Sequence, residues 1–374
     1  MRDVATAAGV SQPTVSRALR GDPRISDITR AQVRSTARRL GYRPNPFVQA
    51  FTAQVRGYRK SPSHATIVML DAFGSEEGGP QSLADYQSGA TERAYELGYR
   101  LERIPFRDVG CSVFRLNSVL KARGILGLLI LPVSSHIDFA ALTLDHLAVA
   151  TIDYSLKAPL LDRAAPNYFQ NMQLALDHLH SLGYRRIGYC SNRKEVDRLG
   201  QHWLGAFKAW QELRPARERV PVHLSPSEGR VDTHPLAAHG GAEDGDWRRD
   251  REAFEQWLLR LEPDAVLSNI FSFYFWMEEL GHGTPKGVAF ATLGIHRGFP
   301  HISGIDQNHS IIGSNAIDLI IGRFHRNDYG ILSSRKTVLT DGIWVDGTTA
   351  GRTPVRFYSP NARSTISSAS LRME

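Results

Sequence analysis

Positive charge is confined to one end of this chain. Residues 1–60 hold eleven arginines and Lys60 against Asp3, Asp22 and Asp27, a formal +9, whereas the full 374 residues sum to +7 and the remainder to about −2. A basic tail is usually a solvated run without apolar order. Here the arginines interleave with apolar residues at helical spacing. Asp3, Val4, Ala5, Ala7 and Ala8 predict a short helix, and Gly9 supplies the left-handed backbone that a tight turn needs. Val10 is an apolar plug. Ser11 is a good N-cap for Gln12-Pro13-Thr14-Val15-Ser16-Arg17-Ala18-Leu19, with Pro13 in the first turn, where its missing N–H costs nothing. Val15, Ala18 and Leu19 fall on one face, leaving Gln12, Thr14, Ser16 and Arg17 outward. Gly21-Asp22-Pro23 breaks this helix. Ser26 or Asp27 caps a third helix, residues 28–40, with Val33, Ala37 and Leu40 inward and Arg30, Arg34, Arg38 and Arg39 on the wet side.

A small basic three-helix module of this kind fits a polyanion, because each cation that neutralises a phosphate releases a condensed counterion. Short polar side chains followed by arginine suit a helix laid in the major groove of double-stranded DNA. Ser11, Gln12, Pro13, Thr14, Ser16 and Arg17 are the candidate DNA-facing residues, with Gln12, Ser16 and Arg17 aimed at base edges. Arg17 is the expected guanine reader, and Thr14, Arg20, Arg34 and Tyr42 are candidates for phosphate.

Asp3-Val4-Ala5, Ala8-Gly9-Val10-Ser11, Thr14-Val15-Ser16-Arg17 and Leu40-Gly41-Tyr42-Arg43-Pro44-Asn45 together resemble the signature of the lactose-repressor family of bacterial transcriptional regulators, over roughly the first fifty-five residues. The resemblance implies that the segment after Tyr42-Arg43-Pro44-Asn45 is a hinge helix that orders on DNA. Asn45 suits its N-cap and Pro46 its first turn. The position of the family's minor-groove leucine holds Phe51, which either wedges a base step open or packs on its dimer mate. The usual residues ahead of the first helix are missing, with Met1 in the apolar position, so the helix starts raggedly or the true start lies upstream.

Beyond this module the chain is long enough for two lobes of ordinary size. The N-terminus is not a signal peptide, the longest apolar run, 125–133, has strand length, and a cytoplasmic protein is expected. Cys111 and Cys190 have no metal spacing and are expected to sit as small apolar residues.

From residue 65 the pattern alternates. Strands are expected at 65–70, 100–104, 127–132, 147–153, 186–190, 264–267 and 288–291, and helices at 88–99, 113–122, 171–182, 203–213, 247–261 and 311–327. Residues 214–245 read as irregular, and 337–339 with 342–345 as a closing hairpin. Alternation of this kind implies doubly wound parallel sheets. The resemblance extends here more loosely. The fold expected is a small all-α helix-turn-helix head plus hinge helix, followed by an α/β two-lobe core like a periplasmic binding protein. The divisions are 1–45 for the head, 46–63 for hinge helix and linker, 64–350 for the effector-binding and dimerisation core, and 351–374 for a tail without a leucine heptad.

The family's effector positions carry over unevenly. Asp153, at a strand end, matches a carboxylate that binds sugar hydroxyls, or else caps the next element. Trp247 matches a ring that stacks on sugar, or else is core. Asn269 matches the polar half of a pair whose partner here is Ile270. Gln307 lies near the cleft crossover, with Asp306 adjacent. Where many members carry an arginine, this chain has Trp203, with His202 beside it and Arg198 upstream. The run Phe271, Phe273, Tyr274, Phe275 and Trp276 fits either core or an aromatic pocket.

The sequence holds no nucleophile elbow, phosphate loop, metalloprotease helix or paired-cysteine motif. Neither an enzyme nor a cofactor or metal is expected. The resemblance implies a homodimeric DNA-binding regulator, most simply a repressor, that reads a palindromic operator under control of a small effector. That effector is a sugar, or a sugar-like or aromatic metabolite, bound between the lobes. The alternative is a constitutive regulator with a ligand-blind core.

Overall fold

The computed structural model describes residues 2–19, 25–40, 66–73, 81–133, 137–225, 245–283 and 287–351. The N-terminal module is α1 (Arg2–Ala7), α2 (Gln12–Leu19) and α3 (Asp27–Arg39). Its core is small but dry: Val4, Ala5, Ala8, Val15, Ala18, Val33 and Ala37 are buried, with Val10, Leu19 and Ile25 packed against them. Gly9 takes φ +62° at the turn. Ser26 caps α3, its hydroxyl accepting from Thr29 N at 3.2 Å. Leu40 departs from expectation: it lies past the end of α3 and is 46% exposed, because the inward face is completed by Thr36 and Ala37.

The strands of the core form two six-stranded sheets among the described residues. The first lobe contains β1 (Thr66–Asp71), β2 (Arg100–Pro105), β3 (Gly127–Ile130), β4 (Ala148–Ile152), β5 (Asp162–Pro166) and β11 (Thr337–Thr340), in the order β11-β5-β4-β3-β1-β2. The second contains β6 (Ile187–Asn192), β7 (His223–Ser225), β8 (Ala265–Ser268), β9 (Ala289–Thr292), β10 (Ser303–Asp306) and β12 (Ile343–Val345), in the order β12-β10-β9-β8-β6-β7. Every pairing is parallel except β10 with β12. The central strands are buried on both faces, which their continuous apolar runs require. Helices α4 (Gln81–Glu96), α5 (Val113–Ala122) and α11 (His309–Arg326) cover the first sheet. Helices α6 (Tyr168–Ser181), α7 (Arg193–Arg198), α8 (His202–Glu212), α9 (Gly245–Leu261) and α10 (Ser272–Glu279) belong to the second lobe.

The expected closing hairpin does not form. β11 pairs with β5 in the first lobe and β12 with β10 in the second, so the intervening Asp341-Gly342 carries the chain from one lobe to the other. Two further crossings, at Asn167 and at Gln307-Asn308, lie beside it. Asn167 Nδ2 donates to Asp341 Oδ1 at 2.7 Å, Asn308 Nδ2 donates to Asp341 O at 2.9 Å, and Gly342 N donates to Asn171 Oδ1 at 2.7 Å. Strands β5, β7 and β10 and the short helix α7 also escape the sequence pattern, since each is brief and weakly periodic. Cys190 is buried as expected, but Cys111 is exposed in a turn at φ +51°.

Two outcomes follow from this packing. A Cβ at residue 342 would lie 2.6 Å from Asp306 O and 2.7 Å from Ile305 Cγ2, so Gly342→Ala is expected to cost about 1–3 kcal/mol, read by chemical denaturation. His223 is buried against Phe254, Trp257 and Phe273, and burial pushes its ring down from 6.5 to about 4. The unfolded chain therefore takes up a proton first as the pH falls. The stability is fully present above about pH 6.5 and is lost toward pH 4, amounting to roughly 3 kcal/mol. Denaturation of His223→Leu across that window is expected to show a correspondingly shallower acid loss.

Candidate nucleic-acid interface and interlobe cleft

Helix α2 buries one face and presents the other. Val15 and Ala18 have no exposed surface, while Ser11, Gln12, Pro13 and Arg17 are exposed and Thr14 and Ser16 half-buried. Ser11 accepts from Thr14 N at 3.3 Å and shares a hydroxyl contact with Thr14 Oγ1 at 2.9 Å, which fixes the start of the helix. Gln32 Nε2 bonds Ala8 O at 3.2 Å and ties α3 to the end of α1. Arg34, Arg38 and Arg39 are exposed on α3, whereas Arg30 turns back to Asp27 at 2.8 Å. The module thus carries a polar, cationic face on a fixed scaffold. The candidates Arg20, Tyr42, Asn45 and Phe51 lie outside the described residues.

The second site lies between the lobes, where the strand ends converge. Asp153 follows β4 with φ +66° and is buried. Its Oδ1 accepts from Tyr154 N at 2.7 Å and from the Tyr168 hydroxyl at 2.8 Å, and its Oδ2 meets Arg198 Nη1 at 3.2 Å. Burial first, then Asp153, hold the Tyr168 hydroxyl well above its ordinary pKa. Arg198 ends α7 and forks back onto Glu195, Nε to Oε2 and Nη2 to Oε1, each at 2.8 Å. Burial alone would lower the Arg198 pKa, but Glu195 and Asp153 outweigh it and raise it. Glu195 also accepts from Asn269 Nδ2 at 2.8 Å, and Asn192 caps this turn through Glu195 N at 2.7 Å. A carboxylate of each lobe therefore meets on one guanidinium.

Around this network stand rings. Tyr154 lies 4.3 Å from His202 and has Arg163 over its face at 4.7 Å. Tyr86 and His309 meet edge to face at 4.9 Å, and burial leads in raising the tyrosine and lowering the histidine pKa.

Of the expected effector residues, Asp153 and Asn269 come together through Arg198 and Glu195. Asn269 Oδ1 is buried with no hydrogen-bond partner among the described residues. Trp203 is 2% exposed and packs in the second lobe's core with its ring 4.7 Å from Tyr168. It backs the site, and its Nε1 also lacks a partner among the described residues. Gln307 is buried and donates to Leu293 O, bracing the β9–β10 ends, while Asp306 accepts from Asn308 N at the crossing. Trp247 is partly buried and packs edge-on to Trp276 at 5.9 Å, against the cluster of Phe254 and Phe273. The run at Phe271, Phe273, Tyr274 and Trp276 is likewise core. Sequence reasoning missed Tyr168 and Glu195. The signal for Glu195 was Asn192 as a cap with Glu195 and Arg198 three apart.

A three-helix basic head joined to two doubly wound lobes around a polar cleft defines a helix-turn-helix protein with a periplasmic-binding-protein-like core. The family described as "Bacterial regulatory proteins, lacI family" matches residues 1–45. The regulator PtxS of Pseudomonas plecoglossicida is 30% identical over 211 residues, which are 55% of this chain and 58% of that protein, so the chain spans little more than half the length of this curated relative. Solved structures share the fold. A lac repressor dimer bound to operator and an anti-inducer matches with a TM-score of 0.53 at 16% identity, over 93% of this chain and 98% of that one. A complex of the transcriptional regulator CelR with cellobiose matches with a TM-score of 0.53 at 18% identity, over 92% of this chain and 98% of that one. Residues 1–45 thus match the lacI family of bacterial regulatory proteins, and the two lobes share the fold of the solved regulators.

Tyr168→Phe removes a donor to a buried carboxylate and is expected to lower stability by about 1–3 kcal/mol, measured by denaturant titration.

Proposed function

We propose that this protein is a sequence-specific DNA-binding transcriptional repressor, acting in the cytoplasm as a homodimer. Its operator affinity is set by a small effector held between the lobes. The observation that carries the DNA reading is α2. One of its faces is sealed against α3, and the other offers Gln12, Ser16 and Arg17 beside an arginine-lined α3. Two such heads in a dimer read a palindrome, with recognition helices one turn of DNA apart. Phe51 is the proposed minor-groove wedge. The matched lac repressor structure is an operator-bound dimer, and the matched CelR structure holds a sugar. Both support carrying these roles to this chain. A carbohydrate-like effector is favoured over an aromatic one, because the aromatic run of α10 is spent on the core. Asp153, Asn269 and Gln307 are its proposed polar contacts, with Trp203 behind; Trp247, packed against the α10 cluster, is not among them.

One observation favours the ligand-blind alternative. Both oxygens of Asp153 and of Glu195 already have partners from the chain itself. Thermal stabilisation separates the readings, since a ligand at a hundred times its Kd adds roughly 2.7 kcal/mol. A panel of metabolites without any shift favours the alternative.

Selection of bound sites from a randomised duplex pool at physiological salt is expected to enrich a palindrome; no enrichment, with or without metabolite extract, counts against the reading. Arg17→Ala is expected to cost about 1–3 kcal/mol and to relax one position of each half-site. A uniform loss across all sequences instead assigns Arg17 to phosphate.

A further inference from the structure

The interlobe cleft is bridged by side chains of the protein itself. At its floor Arg198, from the second lobe, binds Asp153 of the first while both Glu195 oxygens hold the same guanidinium. At one rim Lys157, from the first lobe, donates its Nζ to the carbonyls of Asp197 and Arg198 at 2.8 and 3.1 Å. These are the last carbonyls of α7, where a cation complements the free acceptors of a helix end. At another rim Arg297, on the loop after β9, donates its backbone N–H to Gln81 Oε1 at 2.8 Å and its Nη2 to Asp85 Oδ1 at 2.6 Å. Gln81 and Asp85 stand on α4 of the first lobe. The three contacts come from different segments, and each crosses between the lobes.

We propose that Arg198 is an internal clasp that holds the cleft shut without effector, with Lys157 and Arg297 as supporting latches. Entry of a ligand then requires Arg198 to leave Asp153. This inference rests on reading the cleft as the effector site. The floor is the decisive contact, because Asp153 and Glu195 are 4% and 1% exposed. A carboxylate so buried must keep a partner. If Arg198 leaves, whatever replaces it must bring hydrogen-bond donors to the same oxygens. Asn269 Oδ1, which has no partner among the described residues, lies beside Glu195 and is a further acceptor for such donors. The site therefore selects donor-rich ligands and disfavours anions, which would face two buried carboxylates. The guanidinium comes from one helix earlier than the position at which many family members carry an arginine, and that position here holds Trp203 with His202 beside it.

The test is the distance between the lobes in the full-length, ligand-free protein. Spin labels are placed on the exposed Cys111 in the first lobe and on an introduced Lys208→Cys in the second; Cys190 is buried. Pulsed electron paramagnetic resonance of labelled chain diluted into excess unlabelled chain, so that only distances within one chain are read, is expected to give one narrow distribution in the native background. Arg198→Ala is expected to lengthen and broaden it. Millimolar methylguanidinium is expected to return the variant toward the native distance and to leave the native chain unchanged, a response that simple loss of packing does not produce. Because Arg198→Ala strips Glu195 of its counter-ion, the exposed pair Lys157→Met with Arg297→Ala is measured alongside and is expected to open the cleft as well. Distributions that superimpose in the native chain and in every folded variant overturn the clasp. An opening that depends on Arg198, in a protein that no ligand stabilises, keeps the clasp and overturns the effector reading.

Discussion

Three crossings between the lobes meet at Asp341, and the geometry of the core depends on that meeting. Its carboxylate accepts from Asn167 at the first crossing and its carbonyl from Asn308 at the second, while the next residue, Gly342, donates to Asn171. Asparagine suits this place because its amide donates and accepts at once, and because it tolerates the left-handed backbone that Asn308 adopts at φ +56°. Gly342 is required since the strand end of β10 leaves no space for a side chain. The three crossings are thus joined side by side by hydrogen bonds.

The charges that span the cleft act against that background. Burying Asp153, Glu195 and Arg198 carries a desolvation cost, and a buried ion pair of this kind is weak evidence for stability. It is good evidence for a preferred arrangement, because two carboxylates and a guanidinium are all satisfied only when the lobes stand in one relation. The latches at the rim are more exposed, Arg297 by 76% of its side chain, and are screened by salt. The core therefore joins three crossings at Asp341 to a charged floor that is fully satisfied in one arrangement of the lobes.

Much of this was legible in the residues. The head was readable because its helices are short, capped and strictly periodic: Ser11 and Ser26 cap, Gly9 turns, and Val15, Ala18, Val33 and Ala37 are inside. Alternating apolar strands and glycine-stopped helices showed a doubly wound core. Leu40 was misplaced because it falls just after the last turn of α3, where helical periodicity no longer dictates a side. Asp153 and Asn269 are readable as strand-end polar residues and Arg198 as a nearby cation, yet Tyr168 and Glu195 are not, since they come from helices that only the second lobe's packing brings to the first.

The amino-acid sequence by itself determined where the charge lies, which face of α2 is free and that two parallel sheets form. Local periodicity, capping chemistry and burial on both faces fix these without reference to distant residues. The tertiary structure alone decided that β11 and β12 belong to different lobes, that the aromatic run of α10 is core, and that Arg198 joins Asp153 to Glu195. A two-residue connection reads as a hairpin until each strand finds a better partner in a separate sheet. The role of a buried charge is likewise set by which opposite charge the fold delivers to it, a matter of long-range geometry that no local pattern encodes.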